Sequence, residues 1–143
     1  MNIPDAIAEL GHLLGLGPVG LNEDGAARII FDDSLEVDFL ADENEEGWLH
    51  LTGRVCEVGP DVAPAFLKQL LHAHFLGQGT GGATFSLASD DTEIHLGRRL
   101  HVTPMEFSEF SNHVETFVNY LEAWRRMVES GEIDRAGAAP SAR

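Results

Sequence analysis

Seven histidines, one cysteine and twenty-four carboxylates are the groups through which this chain could do chemistry. His72 and His74 are two residues apart, and on a helix such a pair points in different directions. His95 and His101 could share one side of a strand, but six residues separate them too widely for one metal ion. Neither H-E-x-x-H nor any Cys/His spacing suited to zinc occurs. Cys56 could be a nucleophile only with a partner that the sequence does not place, and it reads as a small buried thiol. Asp32-Asp33 and Glu45-Glu46 fall in turns, as solvated acids rather than a catalytic pair. There is no G-x-S-x-G elbow. The run Gly77-Gln78-Gly79-Thr80-Gly81-Gly82 has the composition of a phosphate loop but the wrong order. Such loops follow a strand and open a helix, whereas this one follows a helix and opens a strand. The residues therefore point to binding, with no enzyme activity, no cofactor and no metal. A hydrolase hidden among the histidines and acids is the least supported alternative.

The elements that would position a binding surface are legible. Residues 4–16 read as a helix with Ile3, Ile7, Leu10 and Leu14 along one face, ended by Gly15, Gly17 and Pro18. Three strands follow, Ala27–Phe31, Leu35–Phe39 and Trp48–Val55, joined by short polar turns as in an antiparallel meander. A central apolar helix starts at Pro64 and closes at Leu76-Gly77, with the glycine in the left-handed position. Its residues Phe66, Leu67, Leu70, Leu71, Ala73 and Phe75 cover an arc of roughly 200°, where a surface helix needs little more than about 100°. Strands at Ala83–Leu87 and Thr92–Val102 come next. Thr103-Pro104-Met105-Glu106 then predicts a capping box for a last helix. That helix carries Phe107, Phe110, Val114, Phe117, Val118, Leu121 and Trp124 as an apolar stripe. The predicted order is α-β-β-β-α-β-β-α, an α+β fold with a mostly antiparallel five-stranded sheet. Residues 1–130 form the domain, and 131–143 read as a flexible tail.

Composition narrows the partners. The formal net charge of −15 argues against nucleic acid and anionic membrane, which need basic patches. It suits a protein that stays in solution while showing apolar surface, and it suits basic partner segments. One cysteine, no basic leader and no long apolar run predict a cytoplasmic protein without membrane insertion.

His74 to Leu87, H-F-L-G-Q-G-T-G-G-A-T-F-S-L, resembles the hallmark of class I type III secretion chaperones, the Tir-chaperone-like family. Leu10-Gly11-His12-Leu13-Leu14-Gly15-Leu16-Gly17-Pro18 is similar to the family's opening helix. Val19-Gly20-Leu21-Asn22-Glu23-Asp24-Gly25 is similar to its turn into the first strand, and Phe107 to Glu129 to its closing helix. The resemblance spans about residues 3 to 129 and leaves out the tail.

The resemblance implies a small acidic bacterial cytoplasmic homodimer. It would bind the N-terminal chaperone-binding segment of secreted effector proteins and keep them secretion-competent for type III export, a virulence function. It would also help deliver them to the export ATPase, using no cofactor. It implies a dimer interface at Phe66, Leu67, Leu70, Leu71, Phe75 and Phe85. It implies effector contacts among Leu10, Leu13, Leu14, Leu16, Ile29, Phe31, Val37, Phe39 and Leu51, of which some must instead be core. The alternative is a chaperone-like adaptor or regulatory module that binds a folded cytoplasmic partner.

Overall fold

A computed structural model describes residues 1–88 and 90–133. Three helices, α1 (Ile3–Leu13), α2 (Pro64–His74) and α3 (Phe107–Glu129), accompany five strands. The strands are β1 (Ala26–Phe31), β2 (Leu35–Ala41), β3 (Trp48–Glu57), β4 (Thr84–Leu87) and β5 (Glu93–His101). They form one five-stranded sheet in the order β1-β2-β3-β5-β4. The pairs β1–β2, β2–β3 and β4–β5 are antiparallel. The chain divides into two compact units, Met1–Thr52 with Arg98–Val118, and Gly53–Gly97 with Asn119–Arg143.

In the first unit, α1 is capped by Asn2, whose side chain accepts from Asp5 N–H at 2.8 Å. The helix ends at Leu13, earlier than the predicted residue 16. Leu16 N–H donates to Gly11 O at 2.9 Å and Gly15 N–H to His12 O at 3.1 Å, with Gly15 at φ +76°. This is a Schellman closure, in which an apolar residue in the position of Leu16 normally packs on the side chain in the position of Gly11. No side chain fits at position 11. A Cβ there would come within 2.9 Å of Val19 N and would also collide with Gly17 O. Gly11 therefore offers Leu16 no side chain to pack on, and Leu16 stays exposed.

The β1–β2 register sets Ile29 against Val37 on the inner face and Arg28 against Asp38 on the outer. Asp32 and Asp33 make the turn at φ +51° and +67°, a conformation that short acids tolerate. Phe39 pairs with Leu51 and Ala41 with Leu49, so the inner face of β2 and β3 is buried.

In the second unit, α2 packs against β4 and buries Phe66 and Leu70. The glycine corner folds onto this helix. Gly79 N–H donates to Ala73 O at 2.8 Å, and a Cβ on Gly79 would stand 2.9 Å from that oxygen. Gly79 O accepts from Trp124 Nε1 at 2.9 Å, and Trp124 meets Phe85 edge-on at 5.0 Å. The buried Thr80 hydroxyl donates to Ala83 O at 2.6 Å.

Two boundaries differ from the sequence reading. α3 starts at Phe107, so the capping box at Thr103 does not form. The Thr103 hydroxyl lies against Gly47, and Met105 N–H closes a turn onto Val102 O at 2.9 Å. α2 ends at His74, and Leu76 as well as Gly77 is left-handed, with φ +56° and +69°. Of the expected tail, residues 134–143 lie outside the described residues. Ile133 within it is buried, and its N–H donates to Met127 O at 3.1 Å.

Substituting Gly11→Ala is expected to lower stability by about 1–3 kcal/mol, through collision with backbone that cannot move aside cheaply. Thermal unfolding followed by circular dichroism checks this, and an unchanged midpoint would contradict it.

Candidate functional site

Two of the histidines lie against neighbouring carboxylates. His50 Nε2 is 2.8 Å from Asp42 Oδ2, and His95 Nε2 is 2.9 Å from Glu93 Oε1. Among the described residues, no three His, Cys, Asp or Glu side chains are grouped to hold a metal ion. Cys56 is a buried free thiol. In the glycine corner, Gly79 and Gly82 N–H turn inward to Ala73 O and Gly77 O, so the loop offers no cradle for an anion.

What the chain does present is apolar surface, in two places. In the first unit the exposed residues are Leu13, at 63 %, Leu14 and Leu16 at the end of α1, and Ile30 and Leu40 on the sheet. In the second unit they are Leu67, Leu71, Phe75, Leu76 and Leu87. Leu71 is 70 % exposed, and with Phe75, Lys68 and His72 it lines a hollow of about 460 Å³. Leu76 is 79 % exposed while held at positive φ, a conformation that costs a leucine about 1–2 kcal/mol.

These places divide the residues expected to bind. Of the effector-facing set, Leu10, Ile29, Val37, Phe39 and Leu51 are buried. Leu10 lies on the α1 face that also buries Ile3, Ala6 and Ile7. The other four fill the inner sheet face through the pairs Ile29–Val37 and Phe39–Leu51. Phe31 is half-buried, and Leu13, Leu14 and Leu16 are open. Of the dimer set, Phe66 and Leu70 are buried, Phe85 is half-buried against Trp124, and Leu67, Leu71 and Phe75 are exposed. Ile30, Leu40, Leu76 and Leu87 escaped the sequence reading. Ile30 and Leu40 carried a signal, since each is an apolar residue at the solvent parity of its strand.

The two apolar places differ in charge. The first unit has fifteen carboxylates against three arginines, a net −12; the second has nine against six Lys and Arg, a net −3. Between Asp61 and Asp90 no carboxylate occurs at all, and that stretch contains the whole exposed face of α2.

Outside the apolar residues, the outer face of the first unit is cross-linked by ion pairs. Arg28 binds Asp38 through two hydrogen bonds, at 2.7 and 3.1 Å, and reaches Glu36 at 3.4 Å. Arg99 pairs with Glu45 at 3.0 Å and lies 3.9 Å from the centre of the Trp48 ring, which also stacks on His101.

The family model for the Tir chaperone protein (CesT) family matches residues 5–125. The chain belongs to this family. Among curated proteins none matches the sequence significantly. Solved structures share its fold at identities too low to carry more than the fold. A chain of the ExsC–ExsE complex superimposes with a TM-score of 0.71 at 20% identity, over 89% of this chain and 96% of that one. A chain of the HopA1–SchA chaperone–effector complex gives 0.69 at 15%, over 85% and 91%. The Yersinia pestis type III secretion chaperone SycH, solved with a fragment of YscM2, gives 0.66 at 17%, over 85% and 98%. No helix of this CesT-family chain is long and apolar enough, among the described residues, to cross a membrane.

One carboxylate in the ion-paired face has a marked pH signature. Contact with His50, and then the N–H groups of Asn44 and Glu45, hold Asp42 at a pKa of about 2. Its folded pKa lies below the ordinary value of 3.8, so its contribution to stability is present above that value and is lost on acidification towards 2. Asp42→Asn is expected to be less stable at neutral pH and to lose less stability between about pH 4 and pH 2 than the parent chain. Urea midpoints across that range check this, and parallel curves would contradict it.

Proposed function

We propose that the chain is a cytoplasmic type III secretion chaperone that works as a homodimer. It binds the N-terminal chaperone-binding segment of one or more secreted effectors, keeps that segment soluble and secretion-competent, and hands it to the export ATPase. The mechanism is binding, with no chemical step and no cofactor. Family membership supports the reading, as does the likeness in fold to chaperones solved with their partners.

The observation that carries it is the separation of two exposed apolar faces by charge. Two copies of a chain at −15 repel each other, so they can meet only where charge is sparse. The α2 face meets that condition, for it offers Leu67, Leu71, Phe75 and Leu76 with no carboxylate in its segment. The leucines that end α1 sit in a unit at −12, which disfavours a second copy and leaves them for a client. Burying three or four large side chains on each side is worth about 1.5–3 kcal/mol apiece before association costs, enough for a stable pair. Within the client surface, β1 ends the sheet and can accept an added strand while the leucines receive apolar anchors.

Two sets of variants separate the roles. Leu71→Asp with Phe75→Asp is expected to give folded monomers by sedimentation, with self-association weakened at least about tenfold, since each change buries a charge in an apolar contact. Leu13→Ser with Leu14→Ser and Leu16→Ser is expected to remain dimeric but to stop co-purifying a co-expressed secreted effector. A monomeric parent chain at micromolar concentration would contradict the first role. A parent chain that retains only non-secreted proteins would contradict the second.

A further inference from the structure

We propose that the segment received by the first unit is a basic one, with apolar anchors interleaved with Lys and Arg. The inference deepens the proposed function and rests on it. The leucines at the end of α1 fix where the segment lies; the charges around them fix its chemistry.

Of the fifteen carboxylates in that unit, Arg28 and Arg99 engage Glu36, Asp38, Asp42 and Glu45. The other eleven have no ion-pair partner among the described residues. Two of them share a helix face with Leu13. Asp5, Glu9 and Leu13 follow at intervals of four along α1, and all three are exposed. Four residues of helix rise about 6 Å, less than the Debye length of about 8 Å at physiological ionic strength. A client side chain on Leu13 therefore lies within the unscreened field of Glu9. On the sheet, exposed Ile30 is followed closely by Asp32 and Asp33 in an exposed turn. Leu13 and Ile30 thus each have carboxylates without an ion-pair partner close by. A Lys or Arg between client anchors gains a partner there, while an Asp or Glu meets like charge. The same arrangement disfavours nucleic acid, an anionic membrane or another copy of this chain as the occupant.

The probe is a synthetic amphipathic peptide of alternating leucine and lysine, fluorescently labelled, with leucine–glutamine and leucine–glutamate counterparts, titrated with the full-length chain. The leucine–lysine peptide is expected to bind tightest and to weaken at least about tenfold between about 50 and about 500 mM salt. The leucine–glutamate peptide is expected not to bind. Asp5→Asn, Glu9→Gln, Asp32→Asn and Asp33→Asn together are expected to weaken the leucine–lysine peptide by about threefold or more with the dimer intact. Asparagine tolerates the positive φ of the turn, so the fold is kept. Glu122→Gln with Glu129→Gln, on α3 in the second unit, is expected to leave binding unchanged. Equal binding of the glutamine and lysine peptides would overturn the inference. So would weakening by the two α3 changes in proportion to the charge they remove, because the effect would then be one of total charge. If Leu13→Ser with Leu16→Ser altered the binding of none of the peptides, the surface would not receive segments, and the proposed function itself would fall.

Discussion

A polypeptide with apolar residues on its surface must keep them from meeting at random, and here net charge sets that constraint. Copies that carry fifteen surplus negative charges repel one another least where charge is sparse. On the α2 face a stretch free of carboxylates coincides with Leu71, Phe75 and Leu76 standing open. The leucines at the end of α1 are exposed too, yet they lie in the more acidic unit. Charge thus does for these two surfaces what shape does at a closed pocket: it selects which partner each can tolerate.

Local backbone geometry keeps both surfaces open. Gly11 is buried against Gly17 and Val19, and this removes the side chain on which Leu16 would otherwise rest. At the end of α2, the glycine corner doubles back through the Gly79–Ala73 contact and leaves Leu76 left-handed, at 79 % exposure. The outer sheet face differs. Its charges are paired, its Trp48 ring is covered by Arg99 and His101, and Asp42 ties the acidic hairpin to β3 through His50.

Most of the fold was legible in the sequence, because alternation and helical spacing are local properties. Leu35–Phe39 and Trp48–Val55 showed their inner faces by parity, and the α3 stripe showed six turns of core. Thr103 misled, since a capping box is a local pattern and the contact that displaced it, with Gly47, is remote in sequence. The binding surfaces were less legible. The wide apolar arc of α2 was visible, but which part of it faces inward depends on β4, so Phe66 and Leu70 could not be told from Leu67 and Leu71. Likewise Ile29, Val37 and Phe39 have the same residue types as a client groove would, and only the sheet register put them inside. The division of charge between the units was invisible to a reading of total charge, because each unit is assembled from two distant stretches of chain.

The central claim is that the two exposed apolar faces serve different partners. Hydrogen–deuterium exchange of the full-length chain, alone and with a co-expressed secreted effector, tests it most directly. In the free protein at micromolar concentration, peptides spanning α2 should already be protected, and dilution should expose them. Peptides spanning the end of α1 and β1 should exchange freely and gain protection only when the effector is added. Protection of α2 that appears only with the effector, or an α1 end that exchanges equally with and without it, would contradict the account.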